Sequence, residues 1–326
     1  MRAGAAIGLL LVGSLPSAAQ CQITPEATSQ IRNVIGERIE ALTVLGGDSG
    51  LAAGNFRSTG SFPVEERTDA SLGTTKIGGA GEIGDPQPLG ALDIAFQPRL
   101  QGNMGFIDAT NYLHSQLLEG DISKLRGYEV EFGGGARFWL SDHLSLAPSL
   151  MGIYGYMSNS YTANSAYMRA NLARATQLGV VDWNVNTGTL VGSLNVQYLI
   201  RWNRTIITLS SQPIYYRSVT LNSSTASLSV SGESGSLTDK IDIDIPMGKQ
   251  LFGHELRTGG YFSRNDLFGD INRGLDVRYF YELHGRLVLD FLNQLWKVQW
   301  LGIGASYLWG PNVTGWSAGA DVTFRF

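Results

Sequence analysis

Charge is scarce in this chain of 326 residues: Asp, Glu, Lys and Arg make up 16%, where a soluble domain carries about 25%. The formal net charge is −4 and the pI is near 5.6, so the basic footprint of a nucleic-acid partner is missing. Cysteine is nearly absent too. The single Cys21 excludes a disulfide framework within the chain. It reads as a bystander thiol, because a lipid-modified cysteine usually follows a small residue and Gln20 stands there. After the first residues there is no run of about 18 apolar residues, so no helix crosses a bilayer. The histidines, at 114, 143, 254 and 284, show no metal-ligand spacing, and neither metal nor cofactor is expected. Aromatics at 10% and the low charge argue against disorder, which goes with high charge and few aromatics.

What is present begins with "MRAGAAIGLLLVGSLPSAAQC". One arginine precedes an apolar stretch, and small residues lead to a cut between Ala19 and Gln20. This is a secretory signal peptide over residues 1–19. An exported chain without a membrane helix is either soluble or a closed outer-membrane barrel.

Residues 24–45 are predicted to be a helix. Thr24 serves as N-cap, Pro25 fits the first helical position, and Gly46-Gly47 stop it. Ile31, Val34, Ile35, Ile39 and Leu42 form an apolar stripe, with Arg32, Glu37, Arg38 and Glu40 mostly off it. Those charges exclude contact with lipid. A polar lumen and the periplasmic side are both open to such a helix, and residues 20–70 read as this helix plus a linker.

From residue 71 to 326 the dominant pattern is alternation with period 2, the strand period. Tyr128, Val130 and Phe132 alternate with Glu129 and Glu131; Leu283, Leu287 and Leu289 alternate with Glu282, His284, Arg286 and Asp290. Strands are predicted at 71–84, 89–100, 102–110, 125–140, 143–157, 181–201, 204–220, 238–247, 250–262, 275–291, 296–309 and 313–326. Phase slips near Thr189-Leu190 and Trp300-Leu301 suggest bulges. Most of these strands exceed the 9–11 residues, roughly, that a tilted strand needs to cross a bilayer. Short joints near 141–142, 202–203, 247–249 and 292–295 alternate with long polar ones at 110–124, 158–180, 221–237 and 263–273. Outer-membrane barrels place short turns in the periplasm and long loops outside. The fold class is therefore all-β, a transmembrane antiparallel barrel of about twelve strands with an N-terminal amphipathic helix. Lumen-facing charges are expected at Asp93, Arg99, Glu129, Glu131, Arg137, Asp276, Arg278, Glu282, Asp321 and Arg325. Their signs are mixed, whereas an ion-selective pore wants a ring of one sign.

The signal peptide, the helix, the train of amphipathic strands and the terminal Phe326 together resemble the translocator barrels of autotransporters. The likeness is closest to the solitary autotransporter-type barrels that lack a passenger domain. The resemblance implies a barrel around an N-terminal helix, in the outer membrane of a Gram-negative bacterium and surrounded by its lipids. It also implies that the barrel-assembly machinery recognises Phe326, Phe324, Val322 and Ala320 as an assembly signal. One departure is plain: only residues 20–23 separate the expected cut from the helix, so there is nothing to secrete. Asn33 is followed by Val34, so the paired asparagines of self-cleaving helices are missing.

Enzymatic signals fail their context tests. "GGDSG" at 46–50 resembles an esterase block around Ser49, but a helix precedes it and barrel strands follow. "GAGEIG" at 79–84 satisfies GxGxxG, yet no helix follows it. His143 and Ser145 share a face as in lipid A deacylases, but beside a periplasmic turn, far from the outer leaflet. The expected function is an outer-membrane barrel with a structural or surface-contact role, not an enzyme, the alternative being a passive channel for small solutes.

Overall fold

The computed structural model describes residues 51–58, 69–89, 94–112, 119–225, 228, 231–275, 277–295 and 298–325. The signal peptide, Cys21, the expected helix with Ile31, Val34, Ile35, Ile39 and Leu42, and Phe326 lie outside them. Thirteen strands follow one another: β1 (Leu51–Ser58), β2 (Asp69–Glu82), the two-residue β3 (Gln87–Pro88), β4 (Ala95–Tyr112), β5 (Ile122–Trp139), β6 (Leu144–Thr162), β7 (Asn184–Trp202), β8 (Thr205–Ser223), β9 (Ser231–Leu251), β10 (His254–Gly269), β11 (Tyr279–Leu295), β12 (Val298–Trp309) and β13 (Val313–Arg325). Among the described residues two helices sit in connections, α1 (Ala166–Gln177) and α2 (Asp270–Leu275).

The sheet is closed, and its register proves it. Stepping across partners from Leu125 on β5, the path runs through Ala109, Leu72, Phe56, Gly315, Leu308, Glu282, Ser263, Lys240, Ser210, Gln197 and Ser145. It then returns to β5 at Trp139. The wall is a ring of twelve strands, β1, β2 and β4 to β13, and the circuit arrives 14 residues further along β5, from 125 to 139. With about 3.3 Å per residue and about 4.8 Å between strands, that offset tilts the strands by about 39°, within the range of barrels.

Burial is inverted relative to a soluble protein. On β5, Glu129 and Glu131 are buried while Phe132 is 68% exposed and Tyr128 and Val130 are exposed. On β9, Ile241, Ile243 and Ile245 are exposed while Asp244 is buried. Apolar side chains thus cover the outside and polar ones line the inside, as lipid requires. Aromatics collect at two levels. Tyr128 and Tyr156 stack at 5.2 Å near the outer level, and Phe96 and Phe138 lie 6.2 Å apart near the inner one. From Tyr128 to Phe138 on tilted β5 is about 26 Å of height, matching an apolar band of about 25 Å.

Several elements differ from the sequence expectation. Segments 89–100 and 102–110 are one strand, β4, because Gly102 stays in the ladder opposite Phe132 and Gly79. A strand the sequence reading took for linker, β1, restores the count of twelve, and β2 therefore runs downward rather than upward. The turn expected at 247–249 is a bulge. Leu256 and Arg257 pair with Lys249 and Pro246, leaving Met247 and Gly248 out of register, where a proline without N–H and a glycine at φ +65° sit naturally. The turn itself is Phe252-Gly253, both at positive φ, a two-residue hairpin geometry. β11 likewise continues to Leu295 through a register shift after Asp290. The two phase slips have counterparts in register shifts at Asn186/Thr187 and Val298/Trp300.

Candidate functional site: the barrel interior

The lumen has two unlike parts. Its outer end, toward the long loops, is apolar. Ile107 on β4, Met157 on β6 and Val185 on β7 point inward near the outer ends of their strands and are buried. Leu228 from the β8–β9 connection and Trp183 join the same cluster, Leu228 with no exposure at all. A loop rooted on β8 and β9 thereby packs in one cluster with the inner faces of β4, β6 and β7. A second cluster joins Leu267 on β10, Ile271 on α2 and Val277, flanked by Phe280 and Val313. Helix α2 is tied down at Asp270, whose Oδ2 accepts from Glu233 N at 2.9 Å, and at Ile271, whose N donates to Ser234 Oγ at 3.0 Å.

One carboxylate organises the largest loop. Asp121 is fully buried and accepts from Tyr161 OH at 2.8 Å, from Asn164 N and Ser165 N at 2.6 Å each, and from Ser165 Oγ at 2.8 Å. Ser165 in turn caps α1, its Oγ accepting from Met168 N at 3.2 Å. Tyr161 lies at the outer end of β6, beyond the lipid band. Burial, and after it the hydrogen bond to Asp121, push its phenol above the ordinary value.

The lower lumen is charged. Arg286 on β11 reaches Asp242 on β9 through two bonds of 2.7 and 2.6 Å. It crosses β10 over Gly259, where a Cβ would lie 3.3 Å from the guanidinium and 2.6 Å from Ile243 O. Only glycine leaves that path open. Below it, Arg257 donates from Nε to both oxygens of buried Asp244, at 3.2 and 3.0 Å. Tyr261 OH donates to Glu282 Oε1 at 2.8 Å, its ring stacks on His284 at 4.7 Å, and Lys240 Nζ lies 5.1 Å from its centre. His284 Nδ1 and Ser306 Oγ are 2.9 Å apart. Across the lumen wall, Asn103 Nδ2 donates to Glu131 Oε2 at 2.9 Å and Arg137 Nη1 pairs with Glu82 Oε1 at 3.0 Å. Arg286 with Asp242, Arg257 with Asp244 and Arg137 with Glu82 thus come as neighbours of opposite sign, while Glu131 and Glu282 accept from neutral donors.

The sequence-expected lumen charges distribute as follows. Glu129, Glu131, Arg99, Arg137 and Glu282 sit on the inward parity of β4, β5 and β11. Arg278 is exposed and precedes β11, because the strand starts at Tyr279. It belongs to the outer connection rather than to the lumen wall. Asp93 and Asp276 lie outside the described residues. Asp321 and Arg325 occupy β13 opposite Gly302 and Glu82; Ala320, Val322 and Phe324 pair with Ile303, Leu301 and Val298. His143 is exposed at the β5–β6 turn, its Nδ1 2.9 Å from Leu199 O, and Ser145 is buried in the wall. Asp242, Asp244 and Arg257 were missed, although "KIDIDIP" alternates Asp with Ile in full view. Asp121 carried no periodic signal at all.

A family model for the solitary outer membrane autotransporter beta-barrel domain matches residues 89–318. The chain belongs to that family. Members of this autotransporter-barrel family reside in the outer membrane of Gram-negative bacteria, and so does this chain. The fold is shared with the transport unit of the autotransporter AIDA-I from Escherichia coli, at TM-score 0.57 and 10% identity over 90% of this chain and 99% of that one. It is shared also with the translocator domain of the autotransporter NalP from Neisseria meningitidis, at TM-score 0.50 and 12% identity over 92% and 98%. No curated protein matches the sequence.

Proposed function

We propose that this autotransporter-type barrel is a sealed surface scaffold rather than a pore, presenting ordered loops to the cell exterior. The observation that carries the reading is Leu228, a loop residue buried in one cluster with the inward faces of β4, β6 and β7. A dry apolar cluster at the mouth excludes the water column that solutes need. The paired charges below it supply no ring of one sign to select an ion. The charged helix expected from the sequence at 24–45 has no place in lipid, and its removal therefore belongs in the test of the seal. Loops organised by Asp121 and capped α1 present fixed shapes, which suits contact with a surface partner. Lipids surround the apolar band, and the last strand engages the assembly machinery.

Planar-bilayer recording tests the seal. Intact protein should be silent, deletion of 20–50 together with Leu228→Asp should conduct, and steady conductance from the intact barrel would sink the proposal in favour of the channel.

A further inference from the structure

At the periplasmic end of the lumen one carboxylate serves two arginines. Arg99 on β4 stands directly opposite Glu82 on β2 and Gly135 on β5. Arg137 lies two residues further along β5, opposite Gln97, so the two arginines are diagonal neighbours on the inward face, with Cβ atoms about 7 Å apart. Arg137 reaches over β4 to Glu82, Nη1 to Oε1 at 3.0 Å. The charged neighbours of Arg99 are the same two groups, Arg137 and Glu82. By contrast Arg286 and Arg257, on the β9–β11 side, each have an aspartate of their own. Two donors in the β4–β5 cluster are also idle. Arg137 Nε and Trp139 Nε1 are buried without a hydrogen-bond partner, while the Arg137 guanidinium carbon sits 5.3 Å from the centre of the Trp139 ring. Buried Gln97 is spent elsewhere, its Nε2 donating to Gly84 O at 2.6 Å. A buried donor left without an acceptor costs about 1–3 kcal/mol, and neighbouring like charges disfavour one another. Both costs vanish if a second anion enters.

We propose that Arg99, Arg137 and Trp139 form a binding site for an oxyanion, the carboxylate or phosphate group of a small periplasmic solute. The donor set suits that chemistry. A guanidinium presents a planar fork that matches carboxylate and phosphate oxygens, and an indole N–H can only donate, so the site offers an anion several donors and a cation little. Glu82 holds the Arg137 fork from one side and leaves its Nε for the ligand. The wall leaves room as well. Beside Arg99 the chain reads Gly133-Gly134-Gly135; a Cβ at 135 would run into Pro148 O and one at 133 into Leu150 O, so this stretch of the inner wall is bare by necessity. Access comes from below. Trp139 is the last residue of β5, at the β5–β6 turn, and the Arg137 and Glu82 side chains keep 16% and 27% exposure. The site lies at the end of the lumen away from the Leu228 cluster, so it stands whether or not the outer mouth is sealed.

Phosphorus NMR of inorganic phosphate, titrated onto the full-length folded barrel in detergent at an ionic strength held constant with chloride, decides it. The phosphate line should shift and broaden saturably. Arg99→Gln should weaken the response about tenfold or more, whereas Arg126→Gln, an exposed arginine near the outer end of β5, should leave it unchanged. Gln97→Glu sets a carboxylate opposite Arg137 and should abolish the response by occupying the site, while the gel shift between folded and boiled protein shows the barrel intact. Acetate separates the sources: displacement of phosphate admits carboxylates to the site, and no displacement confines it to phosphate, either result upholding an oxyanion site. A flat titration of the intact barrel, an undiminished response in both Arg99→Gln and Gln97→Glu, or an equal loss in Arg126→Gln would overturn it.

Discussion

The two ends of the lumen solve opposite problems with the same inward parity of the strands. At the outer end Ile107, Met157, Val185 and Leu228 pack as the core of a soluble protein would. Lower down, at the same parity, Asp242, Asp244, Arg257 and Arg286 pair across strands. The wall dictates only which side chains point inward. What they meet there, a folded loop or a wet interior, decides whether they are greasy or charged.

Placing one new charge at each end should break the symmetry most. Leu228→Asp is expected to cost about 4 kcal/mol, because a carboxylate would enter a dry cluster. Ser210→Asp, whose register partner is Lys240, should stay within about 1 kcal/mol. Urea midpoints followed by the gel shift between folded and boiled barrel would compare them, and equal losses would refute the contrast. Asp121→Ala comes next, at about 3 kcal/mol, since it strips the acceptor from Tyr161, Asn164 and Ser165; proteolysis of the 163–183 loop should report it first. In the lower lumen, Arg286→Ala should cost about 2 kcal/mol by leaving Asp242 without its fork. Adding Asp242→Ala should recover most of that, because removing a pair is cheaper than breaking one.

The smallest effect separates the ends by pH. The Tyr161 phenol is raised in the folded barrel, so its contribution is fully present below the ordinary phenol value of about 10. It is lost as pH rises through the folded value. Tyr161→Phe should cost about 1 kcal/mol at neutral pH and abolish this alkaline loss, as read from stability curves and tyrosinate absorbance.

Legibility followed the lipid. Where one face of a strand meets acyl chains the alternation was clear, and β5, β7 and β8 were placed within a few residues. Above the band the ladder continues without that signal. Ser158 to Thr162 extend β6 and Ser231 to Leu237 extend β9, yet both read as loop. β1 was missed because "LAAGNFRS" is short and weakly alternating, and its place depends on partners remote in sequence, β13 and β2. The charged wall was half visible, since alternation reveals parity but not cross-strand partners such as Arg286 and Asp242, which need Gly259 between them. Met151 and Ile153, buried mid-strand on the inward parity of β6 and packed with Val191 and Tyr216, show that apolar side chains also enter the interior below the outer end. They break an otherwise greasy-out, polar-in rule.

The circuit from Leu125 to Trp139 has one more consequence, and it is topological. Because residues alternate between two surfaces, a ribbon joined to itself with an odd slip would match each oily position to a watery one at the join, like a Möbius band with a single side. Only an even slip yields a distinct interior and exterior. Deleting one residue from any one of the twelve staves must therefore be cancelled by a kink nearby, or the vessel has no inside.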